Sequence, residues 1–182
     1  LALCAQMKAE CEVVTSDWDG IIPALNAKKF DAIIASMSIT EERKAAVDFT
    51  DAYYTNKLQF IAPKGGDFKI DKASLKGKVI GAQRATIAGT WLEDNMADIV
   101  EIKLYDTQEN AYLDLTSGRV DGVLADKFVN WEWLKSDAGK GFGRGALYRG
   151  DTRGIGHLFT QPMHQVDQGF ALTPLGRKTL PE

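Results

Sequence analysis

Arg43, Ser36, Ser38 and Asp126 differ in chemistry but fit one common task. A guanidinium makes paired, charge-assisted hydrogen bonds to a carboxylate, and the hydroxyls at 36 and 38 add neutral donors. Gln83 to Thr86 lie between an apolar run and a helical pattern, where the backbone amides of a helix start would face an anion. Asp126, at the end of another apolar run, offers the opposite charge and suits an ammonium group. Together they complement a zwitterion, the head group of a free amino acid. Each also has a plainer reading: Arg43 as a solvated helix residue beside Glu41 and Glu42, Asp126 as a helix cap, Trp18 as core, and the serines as satisfiers of turn amides. The signal is their convergence at strand ends, where ligands of open α/β sheets bind.

Other patterns carry less. The glycine-rich stretch 139–145 fits neither a dinucleotide fingerprint nor a phosphate loop, and it reads as a loop. Arg149-Gly150-Asp151 reads as a surface turn. His157 and His164, the only histidines, lack metal-ligand spacing to each other or to the cysteines, so no metal site and no cofactor are expected. No nucleophile with a base and an orienting partner can be assembled. Cys4 and Cys11, the only cysteines, are compatible with two buried thiols or with a short bridge, and spacing does not choose between them.

The elements that must hold these residues follow from periodicity and caps. Leu1 to Lys8 reads as the interior of a helix, which suggests a chain that begins part-way through a longer protein, and Glu12 to Val14 as a strand. Ser16, Asp17 or Asp19 is expected to cap a helix running to Leu25 and ending by Lys28-Lys29, with Pro23 near its first turn. Asp31 to Ala35 is a short apolar strand, and Thr40 followed by Glu41 and Glu42 opens another helix. Further on, strands at 78–81, 101–105 and 120–124 alternate with a helix capped by Thr86 and one with capping-box spacing at Asp106 and Glu109. That β-α-β-α-β order predicts a parallel sheet covered on both faces.

Composition narrows the class. The 182 residues carry 22 Lys plus Arg against 25 Asp plus Glu, and 45% are hydrophobic, as in an ordinary globular protein of one domain or two small ones. Scattered cations on a slightly acidic chain lack the footprint of nucleic-acid binding. No run reaches the roughly 18 apolar residues that span a bilayer.

Asp17 to Leu25 and Phe30 to Arg43, with the run Ser36-Met37-Ser38-Ile39-Thr40-Glu41-Glu42-Arg43, resemble the periplasmic amino-acid-binding proteins of ABC importers. The likeness is greatest to the lysine/arginine/ornithine and histidine binders, and Leu75 to Gln83 and Asp114 to Asp126 continue it. It covers about residues 1–156 and implies a two-lobed α/β architecture of the type 2 binding-protein kind, with mixed, mostly parallel sheets and an incomplete first lobe. Lobe 1 would span 1–60, lobe 2 61–151, and a return segment with a divergent tail 152–182. The tail's Pro162, Gly169 and Pro174 argue against a long helix there.

By position, the resemblance implies that Arg43 holds the ligand carboxylate, helped by Ser38 and by Thr86 with its neighbouring amides, with Gln83 and Met37 as further expected ligand-binding residues. Asp126 with the Ser36 region would hold the α-amino group, Trp18 would stack on the side chain, and Cys4 and Cys11 would form a disulfide. The implied protein is a periplasmic non-enzyme that takes a basic amino acid between lobes closing by hinge bending and hands it to a membrane permease. Two alternatives stand beside it: a non-transporting remnant that forms homo-oligomers through an unpaired sheet edge, and a dehydratase-like enzyme on the same scaffold.

Overall fold

The computed structural model describes residues 2–66, 68–144 and 166–172. The chain opens with α1 (Ala2–Met7), α2 (Ile21–Asn26), β1 (Ala32–Ser38), α3 (Glu41–Ala46), β2 (Asp48–Phe49) and β3 (Tyr54–Asn56). There follow β4 (Leu58–Pro63), α4 (Lys72–Leu75), β5 (Val79–Gln83), α5 (Ile87–Met96), β6 (Glu101–Tyr105), α6 (Gln108–Thr116), β7 (Gly122–Asp126), α7 (Lys127–Lys135), β8 (Phe142–Arg144) and β9 (Val166–Leu172).

These strands make two sheets. In the second, the order is β6-β5-β7-β4-β8. The βαβαβ segment supplies its three parallel strands, and β4 and β8 extend it antiparallel. Alternation along β4 sends Phe60 to one face, against Ile80, Leu92 and Met96, and Ile61 to the other, against Tyr112, Leu115 and Val123. Both faces are therefore covered. Each of these aliphatic or aromatic side chains, once fully buried, contributes about 1.5–3 kcal/mol. The first sheet is built on β9, which pairs antiparallel with β1 on one side and with β2 and β3 on the other. Leu25, Ile33, Met37 and Val47 form its core.

Caps explain most helix boundaries. Thr40 accepts from the Arg43 amide at 3.2 Å and Thr86 from that of Gly89 at 3.2 Å, so both expected N-caps are in place. The cap before α6 is Thr107, which accepts from Asn110 N at 3.2 Å, and not Asp106. Asp106 instead pairs with Arg84 at 2.9 Å, so the acid–acid spacing misplaced the helix start by one residue. Asp114 in α6 accepts from Arg119, Lys103 and Tyr105, which hold its carboxyl well below the usual range.

Several expectations are corrected. Glu12 to Val14 forms no strand; Val13 is 79% exposed, and a strand without a neighbour has no ladder to stabilise it. Ser16, Asp17 and Asp19 do not cap α2: its N-cap is Gly20, without a side-chain bond, because the turn at Trp18 brings Ile21 N to Trp18 O at 3.3 Å. Pro23 still falls among the first amides, where no intrahelical donor is needed. The strand expected at 120–124 runs at Gly122–Asp126, since residues 119 and 120 close the end of α6 onto Asp114 O. The glycine-rich stretch 139–145 is not loop throughout, because Phe142–Arg144 pairs with β4. Helix α1 is present, and Cys4 and Cys11 are joined by a disulfide with Cα atoms 6.0 Å apart. His157, His164 and Arg149-Gly150-Asp151 lie outside the described residues, as does most of 152–182. Among the described residues no helix is long and apolar enough to cross a membrane.

Candidate ligand-binding cleft

A cavity of about 250 Å³ opens where the turn at Trp18, the end of β1 and the start of α3 meet the carboxyl ends of β5 and β7. Trp18, Ser36, Ser38 and Arg43 line it from the first sheet; Gln83, Thr86 and Asp126 line it from the second. Seven of the eight expected ligand residues thus converge on one space drawn from six separate elements. Met37 is the exception. It alternates away from the cleft and packs, 1% exposed, into the first-sheet core.

Two backbone distortions aim the cleft residues. The pairing of β1 with β9 shifts register between Ile33 and Met37, and within that irregularity Ser36 has a φ of 53°. On the opposite wall Ala85 has a φ of 56°. Non-glycine residues held in this region concentrate where function requires it. The consequence at Ala85 is specific. Its carbonyl accepts from Trp18 Nε1 at 3.0 Å and from Arg43 Nη2 at 3.1 Å, so two first-sheet side chains grip one second-sheet oxygen.

Arg43 is otherwise held by its Nη1 donating to Ser38 O at 3.1 Å, and its guanidinium lies 5.7 Å from the centre of the Trp18 ring. Burial lowers its pKa, partly offset by Asp126. Asp126 occupies the N-cap position of α7 yet makes no side-chain cap bond, so its carboxylate is not spent on its own helix. Burial pushes it up to about 6, against the opposing pull of Arg43 and of Asn56. The Asn56 amide lies beside it without completing a hydrogen bond, leaving Nδ2 buried and unpartnered.

Thr86 and Gln83 are more committed than the sequence suggests. The Thr86 hydroxyl donates to Gln83 O at 2.7 Å, and Gln83 Nε2 donates to Asp106 O at 3.0 Å. What remains at this wall for an anion is the amide-rich start of α5. Gln108 was not legible as a site residue: it opens α6, lines the cleft and is 9% exposed, but no motif marks it. Among the described residues no group of three or more His, Cys, Asp or Glu could hold a metal ion. A wider hollow of about 410 Å³ beside Val47 to Ala52 is formed by first-sheet residues alone, without opposed charges from the second sheet.

A two-sheet α/β molecule with a small cleft lined from both sheets is the architecture of a solute-binding protein. The chain belongs to the bacterial extracellular solute-binding proteins, family 3, whose model matches residues 1–113. It is 44% identical over 144 residues to the L-arginine-binding protein of Pseudomonas aeruginosa, an alignment covering 78% of this chain and 55% of that protein. To the lysine/arginine/ornithine-binding periplasmic protein of Escherichia coli K12 it is 37% identical over 166 residues, covering 85% of this chain and 62% of the relative. Solved structures of an ancestral arginine-binding protein superpose with a TM-score of 0.81 at 30% identity over 98% of this chain. They cover 73% of the chain bound to glutamine and 74% of the chain bound to arginine. The chain spans between half and two thirds of the length of these curated relatives. The fold is the two-lobed type 2 periplasmic-binding-protein architecture, and the relatives are solute-binding proteins rather than enzymes.

Proposed function

We propose that this chain binds a free basic amino acid, arginine foremost, as the periplasmic receptor of an ABC importer, without chemistry of its own. The observation that carries this reading is the pair Arg43 and Asp126, opposite charges from different sheets lining one cleft. Arg43 has donors for an α-carboxylate, and Asp126 has a carboxylate uncommitted to its helix for an α-ammonium. Ser36 and Ser38 line the same wall, and Trp18 closes it. The names of the relatives support arginine and other basic amino acids as ligands and a periplasmic location. We take 1–60 and 61–151 as the two lobes and 152–182 as the return segment and tail. The permease partner follows from the family.

Calorimetric titration with arginine, lysine, ornithine, histidine and glutamine tests the reading, with Arg43→Ala alongside. Arginine is expected to bind, and Arg43→Ala to lose about 1.5–3 kcal/mol of affinity through the missing charge-assisted contact. A natural chain silent to all five, or Arg43→Ala binding as tightly as the natural chain, refutes it.

A further inference from the structure

Behind the cleft runs a chain of buried polar groups that the proposed head-group contacts do not use. Its inner end is on β4, where Gln59 O accepts from Asn130 Nδ2 at 2.7 Å. Asn130, fully buried on α7, accepts in turn from the Tyr112 hydroxyl at 2.9 Å. Tyr112 on α6 lies beside Gln108, one turn earlier on the same helix. Gln108 is the outer end: it lines the cleft together with Asp126, Gln83 and Thr86. It is 9% exposed, and its Nε2 has no hydrogen-bond partner.

A buried amide nitrogen without a partner costs roughly 1–3 kcal/mol, and native structures keep few of them. Packing alone does not require one here, because a methionine of nearly the same length would fill the space. Gln108 lines the cleft, and its amide lies beside the Tyr112 hydroxyl without completing a hydrogen bond to it, while that hydroxyl is already donated to Asn130. We infer that Gln108 is a specificity-determining residue that reads the side chain of the bound amino acid, selecting a planar nitrogen-bearing group, guanidinium or carboxamide, over an aliphatic one. This rests on the amino-acid-binding reading given above. The chemistry is that of an amide: Nε2 donates to a carboxamide oxygen, and the same group turned over presents Oε1 to a guanidinium. Sites built to hydrogen-bond a ligand group reject analogues that lack it, since the buried amide then stays unpaired.

The test is Gln108→Met in the full chain, titrated with arginine, glutamine and norleucine, with a melting curve taken without ligand. Arginine and glutamine are expected to weaken by about tenfold or more, norleucine to be unchanged or tighter, and the ligand-free melting temperature to rise as the unpartnered nitrogen is removed. Equal weakening of all three ligands with a lower melting temperature marks a structural glutamine and overturns the inference. So do unchanged affinities. Gln108→Glu provides an independent arm: it keeps the shape, removes the donor and is expected to shift preference from glutamine toward arginine, and an unshifted ratio counts against the inference. If the natural chain binds no amino acid, both readings fall. If it binds and the preferences ignore residue 108, only this one does.

Discussion

An aspartate set near an arginine ordinarily titrates below its free value, because the cation stabilises the carboxylate. Asp126 behaves in the opposite way, at about 6, because burial in the cleft outweighs the pull of Arg43 and Asn56. A group raised in the folded state from its ordinary 3.8 contributes stability below about pH 4 and loses that contribution as pH rises through about 6. Near neutral pH the ligand-free protein therefore carries a strained charge worth at most about 3 kcal/mol. In the proposed binding mode a ligand ammonium would relieve that strain. Two outcomes follow. Asp126→Asn should raise the ligand-free melting temperature at pH 7 and leave it unchanged at pH 4. Arginine affinity of the natural chain should fall as pH drops through about 6, as calorimetry across pH 4.5–8 will show. A flat affinity profile would remove Asp126 from the ammonium site.

At the scale of elements, what was legible was what local chemistry decides. Thr40 and Thr86 announce their helices because a hydroxyl before a helical pattern has few better uses than a free amide, and strand Glu101–Tyr105 lies where its alternation places it. What depends on a distant partner was not legible. The bulge that turns Ser36 toward the cleft exists through pairing with β9, 130 or more positions along the chain. Met37 shares its motif with two cleft serines, yet the same strand sends it into the core. Gln108 has no local signal: its neighbour Tyr112, one turn on in α6, is tied to Asn130 only after α6 and α7 pack. The misplaced cap of α6 gives a direct check. Thr107→Ala should cost about 1 kcal/mol in urea unfolding through the loss of the Asn110 contact, whereas Asp106→Ala removes an exposed ion pair with Arg84 and should cost no more than a few tenths. Equal costs would mean that the capping box sits where the acid spacing placed it.

Across the whole molecule, binding between two sheets requires that they come together, and the contacts at Ala85 show how this chain arranges it. Its carbonyl, exposed by the left-handed turn, takes Trp18 Nε1 and Arg43 Nη2 from the other sheet. These bonds join the sheets before any ligand does. Arg43 must serve both this oxygen and an incoming carboxylate, whereas the Trp18 Nε1 bond does not compete with that carboxylate. Trp18→Phe keeps an aromatic ring against the first-sheet core and removes the Nε1 donor together with part of the ring. One net hydrogen bond is worth about 1 kcal/mol, so the ligand-free balance between closed and open arrangements should shift by about fivefold toward open. Small-angle X-ray scattering should then give a larger radius of gyration for the ligand-free variant than for the natural chain, with the two converging at saturating arginine. Identical ligand-free curves would show that the Ala85 grip follows closure and does not help to drive it.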